Sequence, residues 1–424
     1  MKMIIRRSTF ITAIVIIGLT VCLDSAAAKE QKKHSDITKQ LIELTMTNPE
    51  IRPMLDMSLA KAKSLNPCPV TNPAQDWDSY LDYIDTAHKL IPQQILDVPP
   101  ILIRDQILQS ICYFYFLVDQ PLTELEGKGY FKNAIQYYPP FSEWLHKFAD
   151  SWGDFLDTED SWNAITYQEF YDDPEFGLQA GWYEDPSNWK TFNEFFSKHL
   201  KTPCERPIGC PDDPSIVVSP ADSEPQGVWP IDDKSQINFG EGLTVKLARY
   251  YNVNDLLSEK SQYKDAFANG KLTHTFLNVF DYHRYHFAVG GKVVEKDRIT
   301  KNVTLEVSWD DEDKRYVPID SEGWQFTQTR GYVIVDTDKF GLVALIPMGM
   351  AQVSSVNFEK NVQVGNKFKK GDPLGYFLFG GSDFIMLFQE KANFKILAQM
   401  NEDQKTYKHN LMGVKYGVMQ GANE

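Results

Sequence analysis

The sequence predicts an α+β protein, with a mainly helical N-terminal region followed by a compact, mostly antiparallel β region. Two observations carry this. From about residue 35 to 200 the apolar residues recur at steps of three and four, the period of one helix face. After Pro203 the chain changes to short β-branched or aromatic runs separated by Gly, Asp and Pro. The boundaries read from this change are 1–28, 29–204 and 205–424.

Residues 1–28 stand apart. Lys2, Arg6 and Arg7 precede the apolar run "FITAIVIIGLTVCL", and the small residues Ala26, Ala27 and Ala28 follow it. That is the order of a secretory signal peptide, and the run is short for a membrane span of about 20 residues. The expectation is an exported protein, periplasmic or secreted, beginning near Lys29. An uncleaved N-terminal anchor is the alternative. The polar stretch 29–36 reads as a flexible leader.

Three stripes define the helical region. Tyr80, Ile84, Ala87 and Ile91 form one, stopped by Pro92; Ile103, Ile107, Ile111, Phe114 and Val118 form a second, running to Pro121. Trp189, Phe192, Phe196 and Leu200 form a third, before Pro203. These are expected to be core faces. The stretch 137–185, rich in Tyr, Trp, Asp and Pro, reads as short helices joined by structured loops. In the β region, "SIVVSP", "VTLEVSW", "GYVIVDT" and "GLVALIPM" read as strands. "VQVGNKFKKGDPLGYFLFGG" reads as hairpins, with a Gly-Asn turn after Val362 and Val364 and a second turn at Lys369–Pro373.

The formal net charge of −15 argues against nucleic acid and against broad adhesion to anionic membranes. It leaves room for a local lipid-binding face and for peripheral membrane contact. Beyond Cys22 the cysteines are Cys68, Cys112, Cys204 and Cys210. An oxidising compartment permits disulfides, and Cys204 with Cys210 closes most easily, although sequence does not assign the pairing. No C-x-x-C or H-E-x-x-H spacing occurs, so no metal site is expected.

Three segments could carry chemistry. In "GYFLFGGSDFIMLFQE" two strand-like flanks enclose Gly380-Gly381-Ser382-Asp383. That tetrad reads either as a turn or bulge or as a strained peptide bond whose serine reacts. In "DYHRYHFAVGG", His283 and His286 stand three apart in an aromatic run. Imidazoles exchange protons near neutral pH, but hydrogen-bonded structural histidines have the same appearance. In "VVSPADSEP" a strand ends in a Ser-Pro turn that delivers Asp222, either as a turn residue or as a partner that orients an imidazole. Spacing alone does not bring the three together.

Their order does carry a resemblance. "SPADS", "YHRYH" and "FGGSDFIMLF" are similar to the three signature segments of phosphatidylserine decarboxylases, in that family's order. The lead-ins "TFNEFFSKHLK", "RPI" and "KKGDPLGYF", and the stretch "FGLVALIPMGMAQVSSV", extend the resemblance over roughly residues 190–395. It implies a proenzyme that cuts its own chain between Gly381 and Ser382. The Ser382 hydroxyl would attack the Gly381 carbonyl, with His286 as base and Asp222 orienting it; His283, the other catalytic candidate of that segment, is expected farther from the scissile bond. Elimination and hydrolysis would then leave a covalent pyruvoyl group in place of Ser382, the electron sink for loss of CO2 from phosphatidylserine or a free L-amino acid.

Departures from the family pattern fall at Asp383, Gly380, Ser223, Gln328-Thr329-Arg330 and "VKLARYYNVNDLL". Asp383 is the most consequential, because a carboxylate would stand beside the new N-terminus. The competing expectation is a non-catalytic exported binding protein on the same scaffold. An ordinary serine hydrolase is disfavoured, since no G-x-S-x-G elbow is present. The helical extension and the acidic surface tilt the substrate toward a free amino acid. Oligomeric state is not legible.

Overall fold

The computed structural model describes residues 33–421, apart from 94, 99–100, 105, 238–250, 320 and 352–354. The signal segment lies outside the described residues, as does part of "VKLARYYNVNDLL". Among the described residues no helix is long and apolar enough to cross a membrane.

Local chemistry explains where the helices begin. Ser35 caps the first helix, Asp36–Thr47, by accepting from the Thr38 N–H. Asp76 and Ser79 close a capping box on Trp77–Ala87, and Thr191 with Glu194 do so on Phe192–Phe196. Among the described residues the longest helix, Pro139–Leu156, starts on two prolines whose missing N–H groups would be unpaired there anyway. It buries Phe141, Trp144, Leu145, Phe148, Trp152 and Leu156 along one face. Each such side chain contributes about 1.5–3 kcal/mol on burial. The stretch 137–185 therefore holds a long helix where short ones were expected.

No stripe is helical over its whole predicted length, and Ile91 already lies beyond the helix that ends at Ala87. Ile103 belongs to a hairpin, Ile95–Val98 with Ile101–Arg104, and the helix starts only at Gln106. Leu200 leaves the third stripe because it bridges Tyr183, while Lys201 donates to the Trp182 carbonyl. At Ile103 and Leu200 tertiary strand pairing overrides helical spacing.

The β region is built on a seven-stranded antiparallel sheet. From one edge its strands are Lys367–Phe368, Gly291–Ile299, Arg330–Asp336, Leu342–Met350, Gly381–Phe388, Lys271–Leu277 and Glu224–Pro230. Alternation gives each strand two core faces. Phe384, Met386 and Phe388 pack on one side with Leu277 and Tyr285. Ile385 and Leu387 pack on the other with Leu272 and Phe326. A three-stranded sheet joins Val356–Phe358, Pro373–Phe377 and Arg284–His286. Another joins Phe394–Ile396, Lys415–Met419 and Ile216–Val218. The anticipated strand at Val362–Val364 is not formed; that stretch makes turns, and pairing begins at Lys367.

The helical core does not stop at the change of pattern. Its buried cluster runs on into Tyr282, Val303, Leu305, Val307, Tyr316, Trp324 and Phe379. All four described cysteines are free thiols. Cys204 and Cys210 do not close because the chain between them is tied elsewhere, Arg206 to Asp222 and Gly209 to the Gly413 carbonyl.

Candidate active site

Gly381-Ser382 opens an interior strand of the seven-stranded sheet rather than a turn. Ser382 stands opposite Gly349 on one side and Leu277 on the other. Gly380, just before it, has φ +146°, a conformation that L side chains rarely adopt. The Ser382 hydroxyl is fully buried and has no hydrogen-bond partner. An orphaned buried hydroxyl costs roughly 1–3 kcal/mol, so the fold holds it there at a loss.

The two histidines reach this strand by the pairing of Arg284–His286 with Pro373–Phe377. The register reverses their expected order. His286 lies opposite Pro373, at the far end of the lead-in strand. The His283 carbonyl accepts from the Phe377 N–H (2.9 Å), just before the glycines. From the other side, Leu277 faces Ser382, and a turn closed by Asp281 N–H to the Asn278 carbonyl (3.0 Å) leads on to His283. His283, not His286, is thus the histidine whose backbone adjoins the scissile segment. Its ring stacks on Phe196 at 3.8 Å, neither nitrogen has a partner, and burial with nearby Lys198 holds its pKa well below the ordinary value.

His286 is oriented by a different group from the one expected. Its Nδ1–H donates to the Gly371 carbonyl (2.8 Å), which leaves Nε2 as the basic nitrogen. The Tyr282 hydroxyl donates to that nitrogen at 3.3 Å. Burial pulls the His286 pKa down to about 4. Gly371 adopts φ +85°, and a Cβ there would meet the Ile208 side chain at 2.4 Å, so only glycine presents this carbonyl. Asp222 is buried close by but spends its oxygens on Arg206 (2.6 and 2.9 Å) and on the Met412 N–H (2.7 Å). Asp222 and His286 make no direct hydrogen bond with each other. The backbone still joins the two segments, since the His286 N–H donates to the Pro220 carbonyl at 2.7 Å.

The worrying carboxylate at 383 faces away. Ser382 shares its face with Phe384; Asp383 projects to the other, with Ile385. There the His274 Nε2–H donates to Asp383 at 2.6 Å, both side chains being buried. Burial raises the Asp383 pKa, and His274 opposes the rise. Sequence reading missed His274, which "LTHTF" offered as a lone histidine in an alternating strand. It also missed Gly371, Tyr282, Arg206 and Lys198. "RPI", "SKHLK" and "KKGDPLGYF" drew notice only as family lead-ins, the last also as a turn, and Tyr282 only as part of the aromatic run around the histidines.

Arg284 is structural, donating to the Ser197 carbonyl (2.9 Å) and pairing with Glu359 (2.6 Å). Arg330 is likewise engaged with the carbonyls of Leu256 and Gln328. Beside the scissile segment lies a cavity of about 720 Å³. Leu378, Phe379 and Thr329 line one wall, and Asp150, Asp154 and Asp157 line the wall given by the long helix and its C-terminal end.

A family model for phosphatidylserine decarboxylase matches residues 192–417. The chain belongs to the phosphatidylserine decarboxylase family, a family of carboxy-lyases. It is 34% identical over 211 residues to phosphatidylserine decarboxylase proenzyme 2 of Oryza sativa subsp. japonica, covering 49% of this chain but only 31% of the rice protein. It is 31% identical over 233 residues to phosphatidylserine decarboxylase proenzyme 2 of Clostridium acetobutylicum, covering 55% and 70% of the two chains. It is 23% identical over 313 residues to the L-tryptophan decarboxylase of Psilocybe cyanescens, covering 65% and 67%.

Proposed function

We propose that the chain is an exported proenzyme that cuts itself between Gly381 and Ser382 and, so matured, removes CO2 from a free L-amino acid in preference to phosphatidylserine. The observation that carries this reading is the Ser382 hydroxyl, buried without a partner two residues after Gly380 at positive φ. In self-cleavage the hydroxyl proton passes to a neutral imidazole as its oxygen bonds to the Gly381 carbonyl carbon, and the imidazole returns the proton to the Ser382 nitrogen as the amide C–N bond breaks. His286 Nε2 is basic at neutral pH once Tyr282 yields it. Asp222 and Arg206 hold the neighbouring loop in place.

The residues around position 382 fit a pyruvoyl group. The Ser382 face is lined by Leu277, Phe384 and the unpartnered Thr275 hydroxyl, while Asp383 is held against His274 on the other face. When present, that group supplies a carbonyl that draws electrons from the substrate as CO2 leaves. The chain's own part is to exclude water there and to keep the new N-terminus in register between two strands. The strands at 382–388, 394–396 and 415–419 all belong to the C-terminal piece. After cleavage it should stay embedded and separate only on denaturation.

The cavity lining supports the free amino acid, since it sets Asp150, Asp154 and Asp157 beside Arg298 and Arg330, charges that suit an ammonium and a carboxylate on one small molecule. Parallel assays of CO2 release from free L-amino acids and from phosphatidylserine vesicles test this. Preference for the vesicles would overturn the substrate half of the reading. A pH profile tests the base. Because the His286 pKa is lowered to about 4, the imidazole is neutral above it, and the cleavage rate should be level across neutral pH and fall as pH drops toward about 4.

One observation favours the alternative of a non-catalytic binding protein. His286 Nε2 is taken by Tyr282 and Asp222 by Arg206, so no base is engaged with Ser382. Such a protein would remain one chain indefinitely.

A further inference from the structure

Decarboxylation has a proton requirement that the buried site must meet. The Cα–carboxylate bond breaks, CO2 departs with neither electron of that bond, and Cα must take one proton from solvent for every amine released. Ser382 and His283 are fully buried, so that proton needs a path.

Outside the groups already given a role, one cluster of titratable side chains runs from the surface to this place. A small pocket of about 210 Å³ is lined by Asp222, Asp281, His409 and Tyr183, among others. At its mouth the half-exposed His409 donates from Nε2 to the buried Asp281 at 2.8 Å. Behind it, Lys198 is 1% exposed. Its ammonium lies 4.9 Å from the ring centres of both Tyr183 and Phe195 and makes no hydrogen bond among the described residues. Next inward, His283 stacks on Phe196, with both ring nitrogens unpartnered. Exposure thus falls steadily from His409 through Asp281 and Lys198 to His283.

We propose that His409, Asp281 and Lys198 form the route by which solvent protons reach His283 beside the scissile strand. This rests on the decarboxylase reading above. The links from Asp281 to Lys198 and from Lys198 to His283 are electrostatic neighbours rather than hydrogen-bonded pairs, so each transfer passes through a bridging water.

The charges facing each group suit proton exchange. Burial brings the Lys198 pKa down to about 8, against the pull of Asp222 and Asp281 and with the help of Arg206. A buried lysine with such a value gives up and regains a proton near neutral pH. Burial raises the Asp281 carboxyl, with Asp222 adding to the rise and His409 opposing it. Burial works against the charged form of His409, yet Asp281, Asp222 and Glu224 outweigh it and raise its value. Both outer members are therefore shifted toward their protonated forms. The C-terminal piece supplies His409, so the route spans the cut.

The test begins with the uncleaved S382A chain, in which exchange of the His283 ring N–H with solvent is followed by imidazole nitrogen NMR. His409→Gln, at a half-exposed position, should slow that exchange by about tenfold or more, and Asp281→Asn and Lys198→Met should do the same. In the cleaved enzyme, the same substitutions should lower kcat by about a hundredfold and leave KM within about twofold. Lys198→Arg should not rescue, because a guanidinium does not release its proton. Unchanged exchange in both His409→Gln and Asp281→Asn would overturn the route even if wild type cleaves and turns over. Failure of wild type to cleave would overturn the decarboxylase reading instead, and the exchange measurement would still decide the route.

Discussion

The two faces of the strand Gly381–Phe388 treat their polar groups in opposite ways. On one, the Ser382 hydroxyl and the Thr273 and Thr275 hydroxyls are buried without partners. On the other, Asp383 is closed against His274 at 2.6 Å. Neighbouring residues on one strand thus differ by whether the fold has satisfied them. Paired groups hold the strand in register, and unpaired ones leave a nucleophile with nothing to compete for it. The difference assigns anchoring to the Asp383 face and chemistry to the Ser382 face.

Breaking each face separately should give effects of different kinds. Ser382→Ala should abolish cleavage entirely, as read by denaturing electrophoresis, while leaving the fold intact. His274→Ala should cost about 3 kcal/mol in denaturant unfolding of the uncleaved S382A chain, because it strands a buried carboxylate. Pairing it with Asp383→Thr should recover much of that loss, and the double-mutant cycle measures the coupling. Thr275→Val is the mildest change. Removing an unpartnered hydroxyl from the Ser382 face should leave stability unchanged or raise it by about 1 kcal/mol. A large loss there would mean that the two faces are not different after all.

Much of this was legible before any coordinates, and the reasons are physical. Alternating apolar runs fix strands because one face must be buried, and backbone hydrogen bonds join "YHRYH" to "SPADS" and to the strand that leads into "GGSD". What spacing could not reveal was register. The antiparallel pairing of "PLGYF" with "YHRYH" sets His283 rather than His286 toward the glycines, and that pairing is set by tertiary packing. Partner choice was equally hidden. Asp222 looked available to an imidazole, but Arg206 and the Met412 N–H, distant in sequence, take it first. Asp383 looked like a liability because His274 is more than a hundred residues away. Leu200 and Ile103 kept helical spacing in places where bridging strands decide the backbone.

The account turns on whether the orphaned serine is spent. The most direct measurement is mass spectrometry of the purified wild-type chain under denaturing conditions, with S382A beside it. The account predicts two wild-type fragments divided between Gly381 and Ser382. The C-terminal one, 382–424, should carry the mass of a pyruvoyl group in place of serine, gain two hydrogens on borohydride reduction and resist Edman degradation. S382A should remain one chain. A wild-type chain that stays intact after long incubation at neutral pH, or a fragment that begins with an unmodified serine, would contradict it.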